Sequence, residues 1–328
     1  MIISKTPFRV SFFGGGTDYP AWYEKHGGAV LSTTIDKYCY LTVRYLPPFF
    51  EHKHRIVYSI VENVKGIDEI QHPVVRALLK HFDIKKGVEV HHDGDLPARS
   101  GLGSSSAFTV GMINSLHALK GDIVTRDQLA EEAIHIERTI LKENVGSQDQ
   151  AAVAYGGFNK IIFNKDHSFY IQPMTLAKDR TSDLQSHLML IFTGFSRFAS
   201  EIAAEQIRNT QERSQELESM KDMVDHAVDI LNSDRNIVEF GKLLHESWQL
   251  KKRLSKKISN PAVDALYEKA LKCGALGGKL LGAGGGGFML LFVAPENRKT
   301  LKEGLKDFLE VEFSFERQGS QIIYYNPQ

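Results

Sequence analysis

The sequence predicts a two-domain α+β protein, and three observations carry the prediction. A chain of 328 residues that is 42% hydrophobic is long and apolar enough to bury two cores. Its first half mixes segments rich in β-branched and aromatic residues with helical stripes, so strands and helices share one core. Its second half changes to long polar helices and closes on two strand-like segments. The change of character falls between residues 175 and 190, giving an expected N-terminal domain over 1–180 and a C-terminal domain over 181–328.

Taken in order, the N-terminus MIISKTPFRVSFFGGG is a short apolar stretch interrupted by Pro7 and Arg9, well below the ~18 apolar residues that span a bilayer. Residues 35–45 and 55–61 read as paired strands joined across Pro47-Pro48. Pro73 opens a helix whose Val74, Val75, Leu78, Leu79 and Phe82 recur at helical spacing, and GVEVHH at 87–92 returns as a strand. A helix begins at Ser104 and ends near Gly121, with Phe108, Met112, Ile113, Leu116 and Leu119 on one stripe. Thr125 and Gln128 make a capping box for a helix through Leu141. Strands follow around 158–163 and 187–193, then polar helices from near Ser196 towards Ser233 and over 236–254. Asn260-Pro261 starts a helix that Gly274 stops. FMLLFVA at 288–294 is an apolar run, and a helix around 298–309 leads to closing strands near 310–316 and 320–325.

Composition narrows the partners. Forty basic residues balance forty acidic ones, so no net field attracts a polyanion, and nucleic acid is not expected. Two cysteines, Cys39 and Cys273, make neither a disulfide framework nor a cysteine-rich zinc site, and they suit a reducing compartment. The 13 histidines contain no HExxH, and His52/His54 and His91/His92 are expected to be solvated. The expectation is a cytoplasmic protein with small-molecule partners and no membrane.

The 27 glycines matter through where they gather: 14–16, 101 and 103, 156–157, and 282 with 284–287. LPARSGLGSSSAF at 96–108 joins a glycine turn directly to a helix. Small residues let backbone fold around an anion, and the free N–H groups and positive dipole end of the helix face it, which suits a di- or triphosphate. Three serine hydroxyls add donors and a possible Mg²⁺ ligand. A Walker GxxxxGK[ST] is absent. The GAGGGG run is not a dinucleotide fingerprint, because it comes late and precedes a strand instead of opening a helix.

Pro7-x-Arg9 with Gly14-Gly15-Gly16-Thr17-Asp18, then PARSGLGSSSAF, then GGKLLGAGGGGFMLLF, resemble in order and spacing the three motifs of the GHMP small-molecule kinases. The resemblance runs over nearly the full chain. It implies an N-terminal domain like ribosomal protein S5 domain 2, a C-terminal ferredoxin-like domain, and a site between them using ATP and Mg²⁺. Carried over residue by residue, Gly101, Leu102, Gly103, Ser104, Ser105 and Ser106 hold the ATP phosphates. Ser105 and Glu137 hold the metal. Asp149, before the YGG turn, resembles the catalytic aspartate that accepts the proton of a substrate hydroxyl. Arg9 is the cation that keeps it ionised. Gly285, in the third motif, brings backbone close to substrate.

Thr17-Asp18-Tyr19 resembles the sugar-kinase form of the first motif, so Thr17, Asp18 and Tyr155 are expected to contact sugar hydroxyls. Gly15-Gly16 replaces the acidic residue and histidine of galactokinases, which disfavours galactose. FGGGTDYP, GFSRFASEIAAEQ at 194–206 and GGKLLGAGGGGFML are similar to the bacterial heptose kinases. That similarity implies transfer to the anomeric hydroxyl of D-glycero-α-D-manno-heptose 7-phosphate, for nucleotide-heptose synthesis. A sugar phosphate needs a second anion site, for which Arg197 ranks ahead of Arg99 and the 52–55 cluster. The alternatives are a fucokinase-like or other free-sugar anomeric kinase, and a non-catalytic sugar sensor of the same fold.

Overall fold

The computed structural model describes residues 1–194 and 199–327. It is an α+β structure built on two sheets. The N-terminal half runs β1 (Ile2–Phe13), α1 (Pro20–His26), β2 (Gly28–Tyr45), β3 (His54–Val57), β4 (Val61–Val64), α2 (Pro73–His81), β5 (Val88–Gly94), α3 (Ser104–Lys120), α4 (Arg126–His135), α5 (Gln148–Tyr155), β6 (Phe158–Phe163) and β7 (Phe169–Pro173). The remainder runs α6 (Lys178–Ser186), β8 (Leu188–Phe192), α7 (Ala199–Asn209), α8 (Ser214–Asn232), α9 (Val238–Leu254), α10 (Pro261–Lys272), β9 (Ala275–Leu280), β10 (Phe288–Val293), α11 (Arg298–Gly304), β11 (Leu309–Val311), β12 (Phe315–Glu316) and β13 (Gln321–Tyr325).

The first sheet is ordered β13-β1-β2-β5-β3-β4, with β6, β7 and β12 attached through β2; the second is ordered β11-β8-β10-β9. The division expected at residue 180 therefore needs one correction. β12 and β13 belong in sequence to the second half but pair with β2 and β1 of the first sheet. The chain ends by crossing back, and this return ties the halves together.

β1, paired between β13 and β2, is a strand that the N-terminal sequence concealed, because Pro7 cannot donate to a ladder. The strand accommodates it with a register shift between Pro7 and Phe8. That shift precedes Arg9, which lies on the cleft side of the strand. α3 is the buried axis of the N-terminal half, with twelve buried residues. At Gly111 it passes so close to β1 that a Cβ would stand 2.8 Å from Thr6 Oγ1.

Two helical expectations change. The helix predicted through Leu141 has its capping box at Thr125 and Gln128, but its last turn, Ile136–Ile140, is π-helical. Such a bulge rotates the residues that follow it, here starting with Glu137. The long helix predicted towards Ser233 is two helices, α7 and α8, separated at 210–213. Of the histidines expected to be solvated, His54 is fully buried, and burial lowers its pKa. No helix among the described residues is long and apolar enough to cross a membrane. Cys39 and Cys273 are both free thiols.

Candidate active site

The two halves enclose a cleft of about 880 Å³, lined from one side by β1, the 97–106 loop and α5, and from the other by α7, α9 and β9. Its centre is an ion pair. Arg9 donates from Nε to Asp149 Oδ1 at 2.8 Å and from Nη2 to Oδ2 at 2.7 Å, a bidentate fork. Nη1 donates to Gly101 O at 2.6 Å, and the backbone N–H of Arg9 donates to Leu102 O at 3.0 Å. Arg9 is 3% exposed, whereas the Asp149 side chain keeps 26% of its surface open. The carboxylate can meet a ligand while the guanidinium is locked beneath it.

The loop before α3 is shaped by two glycines. Gly101 has φ 83° and Gly103 has φ 73°, left-handed values that favour glycine. Gly103 caps α3, so the free first-turn N–H groups of Ser104, Ser105 and Ser106 open on the cleft. The fourth glycine cluster packs against this loop. A Cβ on Gly282 would lie 2.5 Å from Gly101 Cα, and Phe288 N–H donates to Ser100 O at 3.1 Å.

Ser106, not Ser105, stands beside Glu137. Ser105 is exposed, while the buried Ser106 hydroxyl donates to Glu137 Oε2 at 3.0 Å and Gln150 donates to the same oxygen. Helical phase explains the exchange, since consecutive residues of α3 point about 100° apart. Glu137 is 1% exposed, and its Oε1 has no hydrogen-bond partner. Burial pushes its carboxyl up to about 7, with Thr109, Gln150 and Ser106 pulling the other way. No cluster of three His, Cys, Asp or Glu side chains suited to a metal exists among the described residues. One orphaned carboxylate oxygen beside a hydroxyl fits Mg²⁺, which takes one or two carboxylates and completes its shell with phosphates and water.

The expected sugar contacts divide. Asp18 lines the cleft, held by Gly16 N–H on Oδ1 at 2.9 Å and Gln148 N–H on Oδ2 at 3.4 Å. Burial raises its pKa, and the neighbouring Asp149 adds to the rise. Thr17 is corrected: its hydroxyl is spent on Gly14 O, Ala29 O and Ala29 N–H, and it does not line the cleft. Tyr155 is also corrected. It sits at the end of α5, about 9 Å along the axis from Asp149, where its ring meets Phe169 edge-on. Gly285 turns inward as well, with its N–H on Ile258 O and its carbonyl on Asn260 Nδ2, so Gly282 and Ala283 take the cleft wall instead. Arg197 lies outside the described residues. Of the other cations proposed for a second anion, Arg99 lines the cleft and Arg55 is engaged with Glu89 at 3.6 Å.

One lobe of the cleft was missed in the sequence. Tyr58, His72, His92, Leu96 and Phe108 surround a space beside the serines. His72 stacks on Phe108 with centroids 4.7 Å apart, and Tyr58 and His92 stand edge-on to them. Burial lowers the His72 pKa to about 4, so its ring is neutral. The wall is flat, uncharged and aromatic. These residues come from β5, α3 and three separate loops, after β3, before α2 and after β5, so no local motif announces them.

Comparison with known proteins agrees with this geometry. Residues 69–157 match the family profile for the GHMP kinases N terminal domain, and residues 227–311 match that for the GHMP kinases C terminal. D-glycero-alpha-D-manno-heptose 7-phosphate kinase of Campylobacter jejuni is 30% identical over 97% of this chain and 97% of its own. The bifunctional fucokinase/GDP-fucose pyrophosphorylase of Arabidopsis thaliana is 26% identical over 93% of this chain and 31% of its own. A solved D-glycero-D-manno-heptose 1-phosphate kinase from Bacteriodes thetaiotaomicron superposes with a TM-score of 0.81 over 99% of both chains at 22% identity, which speaks to the fold alone. With a relative matched over 97% of both chains and both family domains in order, the chain belongs to the GHMP kinases and is an ATP-dependent kinase.

Proposed function

We propose that this kinase transfers the terminal phosphoryl group of ATP to the anomeric hydroxyl of D-glycero-α-D-manno-heptose 7-phosphate, giving the 1,7-bisphosphate. The observation that carries the reading is the 30% identity to the Campylobacter heptose 7-phosphate kinase, which extends over 97% of both chains and so spans the whole cleft. The geometry of the cleft supports a role for each residue. The N–H groups from Gly101 to Ser106 and the start of α3 receive the phosphates. The aromatic lobe receives the base, which stacks on neutral rings without competing charge. When bound, Mg²⁺ would neutralise phosphate charge, and Ser106 with Glu137 would hold it, in place of the Ser105–Glu137 pair expected from the sequence.

Asp149 accepts the proton of the attacking hydroxyl as the new P–O bond forms and ADP departs. Arg9, itself 3% exposed, fixes the carboxylate in one orientation through its two-pronged contact and sets a positive charge beside the reacting group. Asp18 offers its remaining lone pairs to sugar hydroxyls. Arg197 remains the proposed contact for the phosphate already on the sugar.

A second reading, a free-sugar anomeric kinase, is favoured by the 26% identity to the bifunctional fucokinase/GDP-fucose pyrophosphorylase of Arabidopsis thaliana over 93% of this chain. Steady-state kinetics with heptose 7-phosphate, unphosphorylated heptose and L-fucose separate the two. The proposal expects the 7-phosphate to have the highest kcat/KM, and Arg197→Ala to lower that preference by ~10–100-fold, the range for one charged hydrogen bond, while ATP affinity is kept. Equal kcat/KM for phosphorylated and free heptose hands the assignment to the free-sugar reading.

A further inference from the structure

Two lysines of the cleft have no part in the chemistry above. Lys251 on α9 is 4% exposed and Lys279 on β9 is 2% exposed, and both line the cleft. Removing an ammonium from water is costly unless partners offset the loss. The partners here are backbone carbonyls. Lys251 Nζ donates to Leu280 O at 3.2 Å and to Gly282 O, and Lys279 Nζ donates to Phe12 O at 2.8 Å. A protonated lysine has three donors, so among the described residues Lys251 keeps one without an acceptor and Lys279 keeps two.

The charged groups that face the pair are Arg9, Asp18 and Asp149. With both lysines protonated that makes three cations against two carboxylates, and Asp149 is already taken up by the Arg9 fork. Burial, then Arg9, lowers the Lys251 pKa to about 8, with Asp18 and Asp149 opposing. Burial, Lys251 and Arg9 hold the Lys279 pKa well below its ordinary value, with Asp18 opposing. A pocket that keeps cations short of acceptors and short of counter-charge is arranged for an incoming anion.

Its position says which anion. Lys251 holds the carbonyl of Gly282, the residue pressed on Gly101 of the phosphate loop. Arg9, bonded to Gly101 O and to Asp149, acts on both lysines. The pair thus lies where the loop, the proposed base and the C-terminal wall converge. We propose that Lys251 and Lys279 bind the terminal phosphoryl group of the nucleotide, so that the C-terminal half of the chain contacts the group being transferred. The loop and α3 then hold the inner phosphates, and the two ammonium groups close on the outer one. This assignment rests on the kinase chemistry and not on the identity of the sugar.

Calorimetry without any sugar tests it, using the magnesium complexes of ADP and of the non-hydrolysable triphosphate AMPPNP near neutral pH. Lys251→Met and Lys279→Met should each weaken AMPPNP by ~10-fold or more, as for loss of a charged hydrogen bond, and change ADP by less than ~3-fold. Retained ADP binding also shows that the variants are folded. Wild-type protein should take up protons on binding AMPPNP, read from the dependence of the heat on buffer, because the anion charges lysines whose pKa was lowered; the uptake should shrink in both variants. Equal losses for both nucleotides would make the lysines mere braces of the 282–287 loop and overturn the proposal, as would unchanged AMPPNP binding. A companion titration with heptose 7-phosphate alone completes the test: a loss confined to that sugar would overturn the proposal in favour of the acceptor's phosphate. If Lys251→Met fails to fold, Lys251→Gln keeps a donor for one carbonyl and supports the same comparison.

Discussion

The loop around Gly101 and Gly103 and the loop over 282–287 are both glycine-rich and meet in the same cleft, but their backbones face different things. Gly103 adopts φ 73° to cap α3, and beyond it the first-turn N–H groups open on the cleft. The second loop is pressed on protein. A Cβ on Gly282, Gly284 or Gly287 would stand 2.5 Å from Gly101 Cα, 2.7 Å from Ile258 Cα or 2.2 Å from Ser100 O. One loop uses glycine to turn into a helix that presents donors, and the other uses it to let two backbones touch. Composition does not separate these jobs, but the following element does: a helix after the first loop, the strand β10 after the second.

The largest effect should fall on the side of the binding loop. Asp149→Asn should lower kcat by ~10²–10⁴, the range for losing a general base, with nucleotide affinity nearly unchanged by calorimetry. No substitution in the second loop should match that loss of turnover at full nucleotide occupancy. Unchanged kcat would remove Asp149 from the chemistry.

Next comes the acid beneath the first loop. Glu137 titrates at about 7 in the folded protein against 4.5 as its ordinary value, because it is buried. The folded state binds this proton more tightly, so its stabilising contribution is full below about pH 4.5 and is lost as pH rises through about 7. The gap of about 2.5 pH units is worth roughly 3 kcal/mol. In the presence of a chelator, wild-type protein should lose more stability than Glu137→Gln between about pH 5 and about pH 8. Parallel melting curves for the two proteins would contradict the buried, protonated carboxyl.

The second loop predicts a mixed defect. Gly282→Ala meets both a positive φ of 71° and the backbone of Gly101, and should cost about 2–3 kcal/mol and weaken ADP as well as AMPPNP, since it displaces the loop that binds both. Gly121→Ala, with φ 82° and nothing within 4 Å, isolates the conformational cost at about 1 kcal/mol. If the two variants are equally stable, the loops do not bear on each other as described. The smallest effect belongs to Tyr155→Phe, which should leave the KM of the sugar within ~2-fold, because the ring packs at the far end of α5 and loses no ligand contact.

How much of this the sequence disclosed depended on whether the signal was local. The phosphate loop, the capping box at Thr125 and the Asn260-Pro261 start were readable, since each places its partners within a few residues. Arg9 and Asp149 are 140 residues apart; their family motifs named them, and the fold supplies the fork that joins them. β1 was hidden by Pro7, which a register shift absorbs. The exchange of Ser105 for Ser106 followed from helical phase beside a π-turn, below the resolution of motif spacing. Lys251 lay in a Lys-Lys-Arg run that looks like an ordinary charged helix end, yet α9 turns that one lysine inward to 4% exposure. Lys279 did carry a signal: a lysine between Gly277-Gly278 and Leu280-Leu281, in a strand with no other polar side chain.

On the proposed function, Asp149, set between the 97–106 loop and Asp18, directs the phosphoryl group to the anomeric oxygen of a sugar that already bears a phosphate. Phosphorus NMR of the product made from D-glycero-α-D-manno-heptose 7-phosphate and MgATP reads this directly. One new signal coupled to the anomeric proton is expected, beside the unchanged 7-phosphate, and no such signal with Asp149→Asn over the same time. A new ester at any other carbon, or equal turnover of Asp149→Asn, would contradict it.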